Sequence, residues 1–321
     1  MAREIISFLL RRLCLAIITV FIVASATFIL MKSIPGDPFA EEMQTASKES
    51  IAALRRHYGL DDPLDEQYIR YLKQICVLQF GPSLKTPSQT VNQIIIGAFP
   101  ISAAIGLFAL AIAIPCGMIL GSYAAITKRS WSKWLSFSLT IFGVSLPSFV
   151  IASTLQFLFA LYFPLFPVAR WGTFSHAVLP ALSLAIGPCC FIARLLRANI
   201  LEVLESQYVQ TARLKGLSEF RIMTVHVWKN SIIPIVSYLG PVTANILVGS
   251  FVVEYVFGIP GLGQWFVNGI INRDYPVVGG LTLFYSILLI SINTSIDIFT
   301  AFLNPGTKSL AEKPKTLRCA T

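Results

Sequence analysis

Apolar positions in this chain do not alternate with polar ones. They form long runs separated by charged intervals. Six runs approach or exceed the roughly 20 residues of helix that cross a bilayer. They cover about residues 13–31, 100–125 (inside the uncharged stretch 86–127), 135–163, 171–193, 232–253 and 277–299. Pro180, Gly187 and Pro188 fall inside the fourth run. They are tolerated there because neighbouring helices and side chains satisfy the freed backbone groups. The expected architecture is an all-α integral membrane protein with six transmembrane helices.

Two polar intervals are longer than a chain reversal needs. The first, residues 32–85, shows helical spacing over 48–58 and 65–78, with Gly59 as a stop and Pro63 between them. The second, residues 194–229, has helical spacing over 201–214, with Leu201, Leu204, Tyr208 and Leu214 among its apolar positions. Gly216 follows as a natural left-handed stop, and Lys215 suits the negative end of the helix dipole. Ser218 is placed to cap a second helix with Glu219 in its first turn. The product is helix, glycine turn, helix, in which small Thr211 and Ala212 permit close approach of another protein. The pattern alone fits equally well a basic amphipathic helix lying on the inner leaflet.

Composition narrows the class. The chain has 321 residues, 55% hydrophobic and 13% charged, with a mean hydropathy of +0.70, too little charge to cover a soluble fold of this size. The net charge of +9 is read as topology, not nucleic-acid binding. Sixteen of the 25 Lys and Arg fall on one side of the six spans, so the positive-inside rule puts both termini in the cytoplasm. Arg11 and Arg12 precede Ala24-Ser25-Ala26, a sequence like a signal-peptidase site. The apolar run continues through Met31, so an uncleaved first span is expected. The six cysteines form no CxxC pair, and His57, His176 and His226 lie apart from them. No disulfide framework, metal site or cofactor is expected. HExxH, GxSxG and GxxxxGK[ST] are absent, so the chain is not expected to be an enzyme or to hydrolyse ATP. An ion-gradient-driven secondary transporter would need ionisable groups at mid-membrane. Only Glu254 and Asp297 come close.

Ordered motifs run through nearly the whole chain. Tyr208–Gly216 followed by Ile232-Ile233-Pro234 resembles the permease loop of bacterial ABC importers. Ile34-Pro35-Gly36-Asp37-Pro38, Tyr58-Gly59-Leu60-Asp61-Asp62-Pro63-Leu64 and Phe80-Gly81-Pro82-Ser83 resemble the B-type permease of oligopeptide and dipeptide (and nickel) importers. So do Leu146-Pro147-Ser148-Phe149, His176–Pro180, Glu254–Gly263 and Arg273-Asp274-Tyr275-Pro276. Gln79 and Leu214 depart from the family, which often has an acidic residue and an alanine there. The resemblance implies a type I ABC importer permease fold working by alternating access in the bacterial inner membrane. It divides the chain into a first helix at 1–31, an extracytoplasmic loop at 32–90, a permease core at 91–304 containing a cytoplasmic coupling loop at 194–229, and a cytoplasmic tail at 305–321. It implies four kinds of partner: a second permease, two cytoplasmic ATPase subunits, an extracytoplasmic substrate-binding protein and the bilayer. Peptides are the expected cargo, with nickel or another small solute as the alternative. Tyr208, Thr211, Ala212, Arg213, Lys215 and Gly216 would couple to the ATPase. Asn245, Glu254, Pro260 and Gly261 are candidates for the pore or an external gate, beside Thr243 and Ser250 as possible lining or packing residues.

Overall fold

The computed structural model describes residues 2–33, 48–57, 59–86, 88–127, 129–247 and 251–303. The Ile34–Pro38 motif, Tyr58, Ser250 and the tail from residue 305 lie outside them. Among the described residues the backbone is helical, apart from loops and one isolated bridge between Pro82 and Thr90. In chain order the helices are α1 (Ala2–Ser33), α2 (Lys48–His57), α3 (Leu64–Cys76), α4 (Val91–Ile126), α5 (Ser130–Ser145), α6 (Ser148–Gln156) and α7 (Phe174–Leu204). Then come α8 (Gln207–Leu214), α9 (Glu219–Arg221), α10 (Trp228–Ser231), α11 (Ile233–Leu247), α12 (Phe251–Val256), α13 (Leu262–Ile271) and α14 (Tyr275–Leu303).

Five segments are long and apolar enough to cross a membrane: Leu10–Ser33, Val91–Ile126, Phe174–Leu204, Ile233–Val256 and Tyr275–Phe299. The run expected as the third span, 135–163, is built in pieces. Pro147 has no N–H and holds the residue before it out of the helical region. Leu146 is accordingly extended at φ −80, ψ 128. Helix α5 therefore ends at Ser145, and α6 restarts at Ser148 and passes into a π-helical turn, Phe157–Tyr162. The fourth span overruns its expected end at 193. Residues 194–204 stay helical because nothing in them breaks the turn, and their apolar side, Leu196 and Ile200, is fully buried.

The chain forms two compact units. One contains Met1–Ala109, Ser148–Leu184 and Asn245–Ile290. Its core joins Val91, Ile94 and Ala98 of α4 to Leu262 of α13 and to Val277, Leu281 and Tyr285 of α14. Phe251 stacks on Phe266 there, with ring centroids 4.6 Å apart. Helix α3 lies along the end of α1: Ser25 Oγ and Tyr68 OH share a 2.6 Å hydrogen bond, and the Phe28 ring meets those of Tyr68 and Tyr71. The other unit contains Leu110–Pro147, Ala185–Ala244 and Ser291–Thr321. Its core packs Ile192, Leu196 and Ile200 of α7 against Val209 and Ala212 of α8, then Ile222, Val227 and Ile235. Gly121 lets α4 close on α7, since a Cβ there would lie 2.6 Å from the Ala193 carbonyl oxygen.

Candidate functional site

The polar segment after α7 is a compact hairpin. Ser206 is extended at φ −70, ψ 148, and its hydroxyl donates to the Val203 carbonyl (2.5 Å), which separates α8 from α7. At the far end of α8, Gly216 has φ +75, the left-handed conformation that favours glycine. The Leu217 N–H returns to the Ala212 carbonyl (3.3 Å) and the Gly216 N–H to that of Arg213 (2.9 Å). This pairing closes the helix and satisfies its last carbonyls. Ser218 then caps α9 through a bond from the Arg221 N–H (3.4 Å). The Arg213 guanidinium donates twice to Glu219, at 2.9 and 3.3 Å, across the turn. That pair is exposed, so it orients the turn more than it stabilises it.

The expected coupling residues divide by direction. Thr211, Arg213, Lys215 and Gly216 are on the surface, and Tyr208 is exposed while its hydroxyl accepts from Asn230 Nδ2 (2.9 Å). Ala212 faces the other way and is only 6% exposed, packed in the core with Val209, Ile222 and Val227. Its small size serves close packing within the chain. The residues that protrude are Leu214, 89% exposed, and Phe220, 79% exposed, on either side of the glycine turn. Phe220 was not singled out by its pattern. An aromatic residue in the first turn of a capped, polar helix was the available signal.

The Glu254–Gly263 motif is built around its carboxylate. Glu254 is 2% exposed, and Oε2 accepts from the Gly263 N–H at 2.7 Å. The Gln264 N–H and the Ser102 hydroxyl also donate to this carboxylate, and Ser102 Oγ accepts from the Leu262 N–H (2.9 Å). One buried carboxyl group and one serine from α4 thus cap the start of α13, where unpaired N–H groups and the positive end of the helix dipole meet. Gly261 is required by contact: a Cβ there would strike Glu254 Oε2 and lie 2.5 Å from Ser102 Oγ. Pro260 is exposed at the turn, and Asn245, on α11, is exposed outside this cluster, while Thr243 is half-buried. Ser102 went unnoticed in the sequence. Its only mark is a hydroxyl within an apolar helix.

Two other motifs meet at Asp274, which is 4% exposed. Its carboxylate accepts from Ser83 Oγ (2.5 Å), the Leu84 N–H (3.2 Å), the Lys85 N–H (3.3 Å) and the Val277 N–H (3.4 Å). Asp274→Ala strands these donors and is expected to cost on the order of 2 kcal/mol. Thermal unfolding of the purified variant should show a midpoint several degrees lower, whereas an unchanged midpoint would deny the staple its structural role.

This helical arrangement is shared with chains of solved ABC transporters. A chain in the crystal structure of an amino acid ABC transporter with histidines superposes with a TM-score of 0.54 at 16% identity, covering 66% of this chain and 94% of that one. An inward-facing MetNI methionine ABC transporter gives a TM-score of 0.53 at 17% identity, over 65% and 96%. This chain belongs to the family of binding-protein-dependent transport system inner membrane components, whose model matches residues 117–309, with the family's N-terminal model on residues 5–105. It is 42% identical to the dipeptide transport system permease protein DppB of Bacillus subtilis over 94% of this chain and 97% of that one. It is 39% identical to the oligopeptide transport system permease protein OppB of Haemophilus influenzae, over 94% and 98%. The chain is therefore a transport subunit, with the ATPase in a separate subunit.

Proposed function

We propose that this chain forms one half of an inner-membrane pathway for dipeptides or oligopeptides, with both of its termini in the cytoplasm. A second permease completes the pathway, an extracytoplasmic binding protein delivers the cargo, and two cytoplasmic ATPases drive it. The observation that carries this reading is the hairpin at α8 and α9, a capped and braced element that presents Leu214 and Phe220 to solvent. Two large apolar side chains so exposed on a rigid turn suit an apolar groove on a partner. The cargo follows from the names of the relatives, which are peptide permeases. ATP binding closes the ATPases, the hairpin moves with them, and the permease changes which side is open. This requires the ATP-bound state to hold one permease conformation more tightly than the other.

The test is reconstitution of the permease pair and ATPases in vesicles with the cognate binding protein. Peptide uptake should require ATP and all the subunits, and uptake by this chain alone on an ion gradient would reject the reading. A second expectation concerns Gly216. No atom lies within 4 Å of a Cβ placed there, so a substitution meets no clash but must hold a left-handed backbone. That costs about 1 kcal/mol for alanine. Gly216→Val should reduce ATP-driven uptake and ATPase co-purification while membrane insertion stays normal. Normal assembly and transport by this variant would remove the turn from the docking element.

A further inference from the structure

Within the first unit, a cavity of about 180 Å³ lies between the end of α1, helix α3, the 79–84 segment and the start of α14. Its walls are amphiphilic. Phe28 and Met31 line the side toward the span, and Lys32 and Arg70 the side toward the polar loop. The two cations differ. Arg70 donates to the Asp62 carboxylate, which neutralises it. Among the described residues Lys32 donates to the neutral amide oxygen of Gln67, and its ammonium sits 5.9 Å from the Phe28 ring centroid. Among the described residues no carboxylate pairs with it. The Tyr71 and Tyr275 rings also line the cavity, and both hydroxyls are buried without a hydrogen-bond partner among the described residues. Burial, and then neighbouring Tyr68, push the Tyr71 phenol above its ordinary range, so it remains a neutral donor.

We propose that this cavity holds the phosphate group of a membrane phospholipid, with Lys32 as its counter-charge. An ammonium that meets no carboxylate among the described residues attracts an oxyanion. The position selects a lipid as the source of the phosphate. Lys32 is the penultimate residue of the first apolar span, which puts it at headgroup depth. The other face of α1 there exposes Ile29 and Leu30, an apolar surface suited to acyl chains at that depth. The site is independent of the coupling hairpin and of the cargo.

The test uses the full chain purified in a neutral, phosphate-free detergent, titrated with dihexanoyl phosphatidylglycerol and followed by native mass spectrometry. Wild-type chain should bind one lipid. Lys32→Gln should bind roughly tenfold more weakly, the effect of one charge-assisted hydrogen bond. Lys32→Arg keeps the charge and should retain binding, which separates loss of the site from loss of the fold. Ile22→Ala, on the exposed face of α1, serves as the unaffected control. Equal binding by wild type and Lys32→Gln would overturn the proposal, as would wild-type chain that binds no lipid. Displacement of the lipid by millimolar inorganic phosphate would assign the site to free phosphate and overturn the lipid reading.

Discussion

Leu214→Asp combined with Phe220→Asp is expected to abolish ATP-driven uptake while leaving the permease folded in the membrane. Both side chains lie mostly in solvent, so neither substitution empties a core position. In the proposed docked complex the loss is large. Burial of two such side chains contributes on the order of 4 kcal/mol, about a thousandfold in affinity, before the cost of burying two carboxylates is added. The readouts are co-purification of the ATPase and ATP-dependent peptide uptake, with thermal unfolding as the check on the fold. Each single variant should show an intermediate loss. If the double variant still binds its ATPase and transports at the wild-type rate, the hairpin is not the docking element, and a basic segment lying on the leaflet becomes the better description.

The second large effect is expected at Glu254. Glu254→Ala leaves the Gly263 and Gln264 N–H groups and the Ser102 hydroxyl without their buried acceptor. This should destabilise the chain by about 3 kcal/mol and lower uptake at least tenfold. Gly261→Ala should reproduce the defect from the other side, because its Cβ occupies the space of the carboxylate. Glu254→Gln separates two roles. A glutamine still offers one oxygen to the start of α13, so a capping role predicts partial activity and an intermediate unfolding midpoint. A role for the negative charge in gating predicts a fully stable protein that does not transport. Wild-type stability and uptake in Glu254→Ala would defeat both.

Features governed by local backbone chemistry were legible in the sequence, and those set by distant pairing were not. Gly216 and Ser218 announce the turn and the cap because each acts on its own neighbours. Pro147 also announced its break, but the apolar run around it has the length of one span, and hydropathy does not register a missing N–H. The helical spacing over 201–214 counts Leu214 with Leu201 and Leu204 among the apolar positions of one helix. The interruption at Glu205–Ser206 resets the helical phase, and Leu214 emerges into solvent. Ser102 and Glu254 stand far apart along the chain, as do Ser83 and Asp274, and no periodicity encodes that either pair will meet. The family motifs marked one or both partners of each pair without revealing that they touch.

The opposite orientations of Ala212 and Leu214 have a genetic consequence. A larger residue at Ala212 presses on Ile222 and Val227 within the same chain. Suppressors of such a variant should therefore arise as smaller side chains at those positions in the permease gene. Suppressors of a Leu214 variant should arise in the gene for the ATPase. Two positions two residues apart in a single turn would then report on different proteins.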